Sequence, residues 1–230
     1  ATISSTFVCL FVLFGAFLLR SGAGEFMIKL ALALLGRTIG GPAKMAVLSS
    51  GMLGSISGSA VANTVGSGSI TIPMMKRTGF TSTFSAAVEA AASTGGQLMP
   101  PIMGAGAFIM SQWTQIPYLT IVAVSFIPAF IYFVSVIFFV HLKAKKEGIE
   151  PLQESEIPRL SEVLKLGWHF FLPITLLIGL LIYGFTPTFA ASASILGIVL
   201  ASWLQRNTRM GFRDILDALS LGAQNMVSTG

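Results

Sequence analysis

The chain has 230 residues, of which 53% are hydrophobic and only 10% charged, and its mean hydropathy is +0.81. That leaves too little polar surface to solvate a water-soluble domain of this length, so the chain belongs in a lipid bilayer. The net charge of +5 is carried by basic residues between apolar runs, which reads as a membrane topology signal and excludes nucleic acid as a partner.

The elements follow in chain order. The run from Thr2 to Leu19 lacks the basic leader of a signal peptide and reads as a membrane helix of a chain whose true start is missing. Cys9, the single cysteine, lies inside it, so no intrachain disulfide forms. From Arg20 to Arg37, Phe26, Leu30, Ala33 and Leu34 recur at helical spacing beside Glu25, Lys29 and Arg37, the pattern of an arm along the membrane interface; residues 1–40 are thus a first helix and an interfacial arm.

Pro42 to Ser57 is apolar but marginal for a full crossing. It runs into Gly54–Thr64, a stretch of Gly, Ser, Asn and Thr that leaves helical geometry readily and offers hydroxyl and amide oxygens. A return arm, Val65 to Met75, ends at Lys76 and Arg77, while Lys44 marks the foot of the ingoing arm. Residues 41–79 therefore read as a re-entrant helical hairpin with both feet on one side and its tip inside the protein.

Residues 80–113 repeat the device as a discontinuous helix, with Glu89 in the first half and a break over Ser93–Pro101. Gly58 and Gly95 are expected where the backbone leaves helical geometry, and so to tolerate alanine poorly. Residues 114–142 form a long helix with Pro128 as the expected kink, and 143–165 a cytoplasmic loop; His141 to Lys165 holds five Lys or Arg and five Glu. A helical pair follows in 166–205, around the turn Gly184–Pro187, and 206–230 reads as the start of a second half, in which Gly211 to Gly230 begins an amphipathic helix. With the hairpin feet on the cytoplasmic side, all 14 Lys and Arg fall on or beside that face.

Broken helices in a membrane free amides and carbonyls that hydrocarbon cannot satisfy, so two neighbouring breaks suggest one shared ligand site. Oxygens suit a hard cation such as Na+, and freed N–H groups suit a carboxylate. For Ser57, Ser59, Asn63 and Thr64 the alternatives are ligand binding and close helix packing by small residues. The same pair of readings holds for Ser93, Thr94, Gly95, Gly96 and Gln97. Among these Asn63 stands out, since its oxygen has least reason to be buried unmet.

Glu89 is the one acid within a membrane segment, where a charge costs about 3 kcal/mol on insertion scales. It must be protonated, paired or facing water. It either relays protons or binds a cation, or else neutralises a basic residue or caps a helix. His169, next to Trp168 at a helix start, reads as an interfacial anchor rather than a base. HExxH, GxSxG and P-loop motifs are all missing, so the chain does not read as an enzyme and no cofactor is expected.

Gly54-Ser-Ile-Ser-Gly-Ser-Ala-Val-Ala-Asn-Thr64, Pro73-Met-Met-Lys-Arg77 and Val88-Glu-Ala-Ala-Ala-Ser-Thr-Gly-Gly-Gln-Leu-Met-Pro-Pro101 together resemble the permease of tripartite ATP-independent periplasmic (TRAP) transporters. The likeness is to the DctM-like large domain, as found in the fused permeases of the TAXI branch. It extends to Gly41-Gly-Pro-Ala-Lys44 and Lys165-Leu-Gly-Trp-His169, nearly the whole chain.

The resemblance implies the first half of an all-α, inverted-repeat elevator transporter in the bacterial or archaeal inner membrane. Such a carrier couples Na+ entry to uptake of a carboxylate brought by a periplasmic solute-binding protein. Its other partner is a small membrane subunit, or a fused small membrane domain. Carried onto this sequence, Ser57, Gly58, Ser59, Asn63, Gly95, Gly96, Gln97 and Pro100 fall in the substrate site, and Ser57, Asn63, Thr64, Thr94 and Gly95 around Na+. The rivals are a sodium and dicarboxylate symporter without a binding protein, and a membrane scaffold protein.

Overall fold

A computed structural model describes residues 9–205 and 208–229, and helices are their regular structure, with no strand among them. Residues 2–8 of the first apolar run, and Arg206, lie outside the described residues. Three stretches are long and apolar enough to cross a membrane by length and composition: Cys9–Leu35, Tyr118–Lys146 and Glu154–Ile182.

Helix α1 (Cys9–Leu18) passes through a π turn, Leu19–Ala23, into α2 (Gly24–Leu35). The wide turn is accommodated at Gly22, whose φ of 99° is open to glycine at no cost. Where the sequence suggests an interfacial arm, α2 extends the same apolar run. It buries Phe26, Met27, Leu30 and Ala31, while Glu25 and Lys29 stay exposed and pair at 2.6 Å.

Helices α3 (Gly41–Ser57) and α4 (Ala60–Arg77) form the hairpin, and only Gly58 and Ser59 separate them. Pro42 occupies the first turn of α3, where its missing N–H is harmless, and Ser59 caps α4 by accepting from the Ala62 amide at 3.3 Å. The break is thus far shorter than the Gly54–Thr64 stretch the sequence marks. Ser55 and Thr64 stay helical because their hydroxyls donate to carbonyls of their own helices, Met52 O and Ala60 O, each at 2.8 Å.

Helix α5 (Ser82–Gly96), capped by Thr81, is followed by an irregular stretch and then α6 (Ala105–Thr114). Here too the helix outlasts the expected break. Ser93 to Gly96 remain helical, and the chain departs only at Gln97. Gly95 therefore has ordinary helical geometry, and its constraint is steric: a Cβ there would stand 2.2 Å from the Tyr132 ring.

Helix α7 (Tyr118–Lys146) sets Tyr132 and Phe133 against α5, with the Tyr132 hydroxyl donating to Ala91 O at 2.9 Å, and leaves Phe126, Ile127, Phe130 and Ile131 exposed as an apolar face. The chain then folds through α8 (Leu160–Gly167), a 3-10 turn (Trp168–Phe170), α9 (Phe171–Ile182), α10 (Pro187–Ser202) and α11 (Phe212–Thr229). Arg20 bridges to Asp214 at 3.1 Å and Asp217 at 2.8 Å, tying α11 beside α1. His169 is fully buried against Phe170, with Nε2 3.1 Å from the Thr208 hydroxyl, while Trp168 is half exposed.

The hairpin sits centrally. Met45, Leu53 and Ile56 of α3 belong to one apolar core with Phe11, Phe14 and Phe108; Ala43, Ala46 and Val47 of the same helix belong to a second with Val88, Phe133 and Val140. A helix buried on both sides is short of room, which is why α3 is built largely of Gly, Ala and Ser. Its foot is anchored by Lys44, whose Nζ lies 3.2 Å from Thr38 Oγ1 and 3.0 Å from His141 Nδ1 at the far end of α7. The other foot pairs Arg77 with Glu156 at 3.0 Å. Both feet therefore share one end with the polar loop.

Candidate functional site

The tip of the hairpin meets the break after α5. Gly58 adopts φ 64°, a left-handed conformation that ends α3, and its N–H donates to Gly54 O at 2.9 Å. The stretch between α5 and α6 supplies amides to the other freed carbonyls: Ile102 and Met103 N–H donate to Ser55 O at 3.2 and 3.3 Å, and Gln97 Nε2 donates to Gly58 O at 3.3 Å. Each broken helix end thus satisfies part of the other. Gly104 N–H closes the stretch on Gln97 O at 2.8 Å.

Below the tip, α3 and α5 cross with glycine facing glycine. A Cβ at Gly54 would lie 2.6 Å from Gly96 Cα, and the reverse distance is the same. This contact brings α5 close enough for its acid to reach both hairpin arms.

Glu89 is completely buried there. Its Oε1 receives the Ser50 hydroxyl from α3, lies 2.5 Å from Ser67 Oγ of α4, and is 3.3 Å from Ser93 Oγ one turn along α5. Its Oε2 lies 2.5 Å from Thr71 Oγ1 of α4. Asn63 joins from above, its amide donating to Ser50 O at 2.8 Å. The cluster pins three helices together through side chains, and among the described residues no Lys, Arg or His pairs with Glu89.

Between the hairpin and α2 lies a cavity of about 320 Å3, lined by Ser57, Asn63, Gly66 and Ser67 on one side and by Gly24, Glu25 and Ile28 on the other. Ser57 Oγ is buried at its edge with no hydrogen-bond partner among the described residues. A hydroxyl left so is costly unless something meets it.

The residues singled out in the sequence divide among these places. Ser57 and Asn63 share the cavity, Gly58 and Gln97 meet where the tip touches the break, and Gly96 faces Gly54 below the tip. Ser59 is the cap of α4, and Pro100 lies half buried within the break. Thr64 is turned to its own helix, Thr94 is exposed with its hydroxyl on Ala90 O, and Gly95 faces α7. These last three are not gathered with Ser57. Sequence reasoning passed over Ser50, Ser67 and Thr71. The signal was there in α4, where Asn63, Ser67 and Thr71 stand at i, i+4 and i+8, a polar stripe that forms the buried face of a half-exposed helix.

Residues 1–229 match the family described as tripartite ATP-independent periplasmic transporter, DctM component. The chain belongs to the DctM family. That family is one of TRAP-transporter permeases, multi-pass proteins of the inner membrane and not enzymes.

Relatives support the same family. The chain is 28% identical over 202 residues to the C4-dicarboxylate TRAP transporter large permease protein DctM of Pseudomonas aeruginosa, covering 87% of this chain and 47% of that protein. It is 29% identical over 201 residues to the ectoine TRAP transporter large permease protein TeaC of Halomonas elongata, covering 86% and 46%. It is 28% identical over 206 residues to the isethionate TRAP transporter permease protein DctMQ of Oleidesulfovibrio alaskensis, covering 87% and 32%. The DctM-like chain thus spans less than half the length of each of these three relatives.

Proposed function

We propose that the whole permease to which this chain belongs is a secondary active importer that couples Na+ entry to uptake of a carboxylate handed over by a periplasmic solute-binding protein, with a small membrane subunit or a fused small membrane domain as its second partner. In this reading the hairpin and the α5–α6 helix move as one unit. The Gly54–Gly96 contact and the Glu89 cluster, which join them, support that unity. The relatives' names include C4-dicarboxylate, isethionate and ectoine, so the proposal is a substrate class and not one compound.

The observation that carries the ion site is Ser57 Oγ, buried beside the cavity with no partner and next to the freed carbonyl end of α3. Neutral oxygens at a helix C-terminus suit Na+. The test is thermal stability of the purified full-length permease in NaCl, with KCl and choline chloride as controls, in wild type and Asn63→Ala. A ligand that binds only the folded state at about 100 times its dissociation constant adds roughly 2.7 kcal/mol. Stabilisation specific to Na+ and weakened in Asn63→Ala is the expected result; equal melting in all three salts rejects the sodium site.

A further inference from the structure

The Glu89 cluster holds more oxygen contacts than its hydroxyls have hydrogens to fill. Ser67 is the clearest case. Its Oγ lies 2.5 Å from Glu89 Oε1 and also 2.7 Å from Asn63 O, the carbonyl one turn back. Were Glu89 ionised, both would be acceptors only, and the one Ser67 hydrogen would serve just one of them. The other would be an oxygen–oxygen contact at hydrogen-bond distance with no hydrogen between. Thr71 repeats the shortage, with Oγ1 2.5 Å from Glu89 Oε2 and 3.0 Å from Ser67 O.

One proton on the carboxyl removes a conflict at either end. On Oε1 it is donated to Ser67, which then donates to Asn63 O. Placed on Oε2, it is donated to Thr71, which then donates to Ser67 O. Electrostatics point the same way. The carboxyl is fully buried, and what the three packed helices present to it is the hydroxyls already named together with Gly68. Their basic residues stand at the feet, with Lys44 on Thr38 and His141 and Arg77 on Glu156, while Lys76 ends α4 beside it. An ionised carboxylate so placed is taken out of water with no cation among the described residues to offset that loss.

We infer that Glu89 is a proton-binding site, protonated in this arrangement of the hairpin, with Ser67 as its connection to water. Ser67 touches both Glu89 and the cavity between the hairpin and α2. A proton leaves by passing from Glu89 to Ser67 Oγ while the Ser67 hydrogen goes to a cavity water, and it enters by the reverse. Each step moves one proton and leaves a carboxylate or a carboxylic acid at Glu89. The inference does not depend on which ion drives transport.

The test is infrared absorption of the full-length permease in lipid nanodiscs at neutral pH, in choline chloride so that no sodium site is occupied. The spectrum of wild type minus Glu89→Gln is expected to contain the C=O stretch of a protonated carboxylic acid, moving in D2O. Carboxylate bands in that difference, with none in the acid region, overturn the inference. An acid band that persists unchanged in Glu89→Gln belongs to another group and overturns it equally. If Glu89→Gln does not fold, wild type minus Ser67→Ala decides. A shifted acid band with slower hydrogen–deuterium exchange supports the site; shifted carboxylate bands reject it. The salt dependence of melting is read separately, so either proposal can fail alone.

Discussion

Replacing Gly54 with alanine probes the crossing that brings Glu89 to the hairpin. The new Cβ would lie 2.6 Å from Gly96 Cα and 3.0 Å from Asn63 Nδ2, against a comfortable separation of about 3.5–4.0 Å between carbons. Neither obstacle is a freely swinging side-chain end, since one is backbone and the other is held on Ser50 O at 2.8 Å. Relief therefore requires α3 and α5 to part by roughly 1 Å, a gap that forfeits about a quarter to a half of each contact's attraction along the interface. Overpacking of this kind costs about 1–3 kcal/mol. The control is Gly179→Ala in α9, where nothing lies within 4 Å of the added Cβ and the backbone is helical, so the change stabilises by about 0.5–1 kcal/mol. Melting of full-length wild type, Gly54→Ala and Gly179→Ala in one detergent is the assay. If Gly54→Ala melts with Gly179→Ala, the glycine crossing is not what sets the approach of these helices.

Gly58→Ala is expected to destabilise by at least about 1–2 kcal/mol in the same assay, because its φ of 64° is left-handed and its Cβ would meet Met103 O at 2.7 Å. Ser57→Ala removes a buried hydroxyl that lacks a partner, so stability without sodium should stay equal or rise by up to about 1 kcal/mol while the Na+-dependent gain shrinks; a large loss in choline chloride would show that Ser57 is held by the protein itself. Single cysteines at Ile39 and Lys76, exposed positions at the two hairpin feet, should both label from the cytoplasmic side, since the feet share an end with the polar loop, and labelling of one only from the periplasm would refute the hairpin's orientation.

Much of the site's neighbourhood was legible in the chain. The backbone leaves the helix at Gly58 and Ser59, inside the Gly54–Thr64 stretch, and again from Gln97, ahead of Pro100 and Pro101. Where the helices end was not legible. Small polar residues lower helix propensity only slightly, and within a helix their hydroxyls are satisfied by the preceding turn, as at Ser55, Thr64 and Thr94.

Composition and apolar run lengths alone determine that this is an all-helical membrane protein, because a bilayer requires such runs and admits few charges. They also single out Glu89, the one charged residue of the otherwise neutral segment Ser82–Gly96, because an acid in such a segment is expensive enough to stand out. What surrounds Glu89 only the tertiary structure decides. Ser50, Ser67, Thr71 and Ser93 come from three helices, and they converge because two glycines far apart in the chain, Gly54 and Gly96, let those helices touch. Periodicity shows which residues share a face of one helix, but which face meets which is settled by packing shape, and that exists only once the helices are assembled.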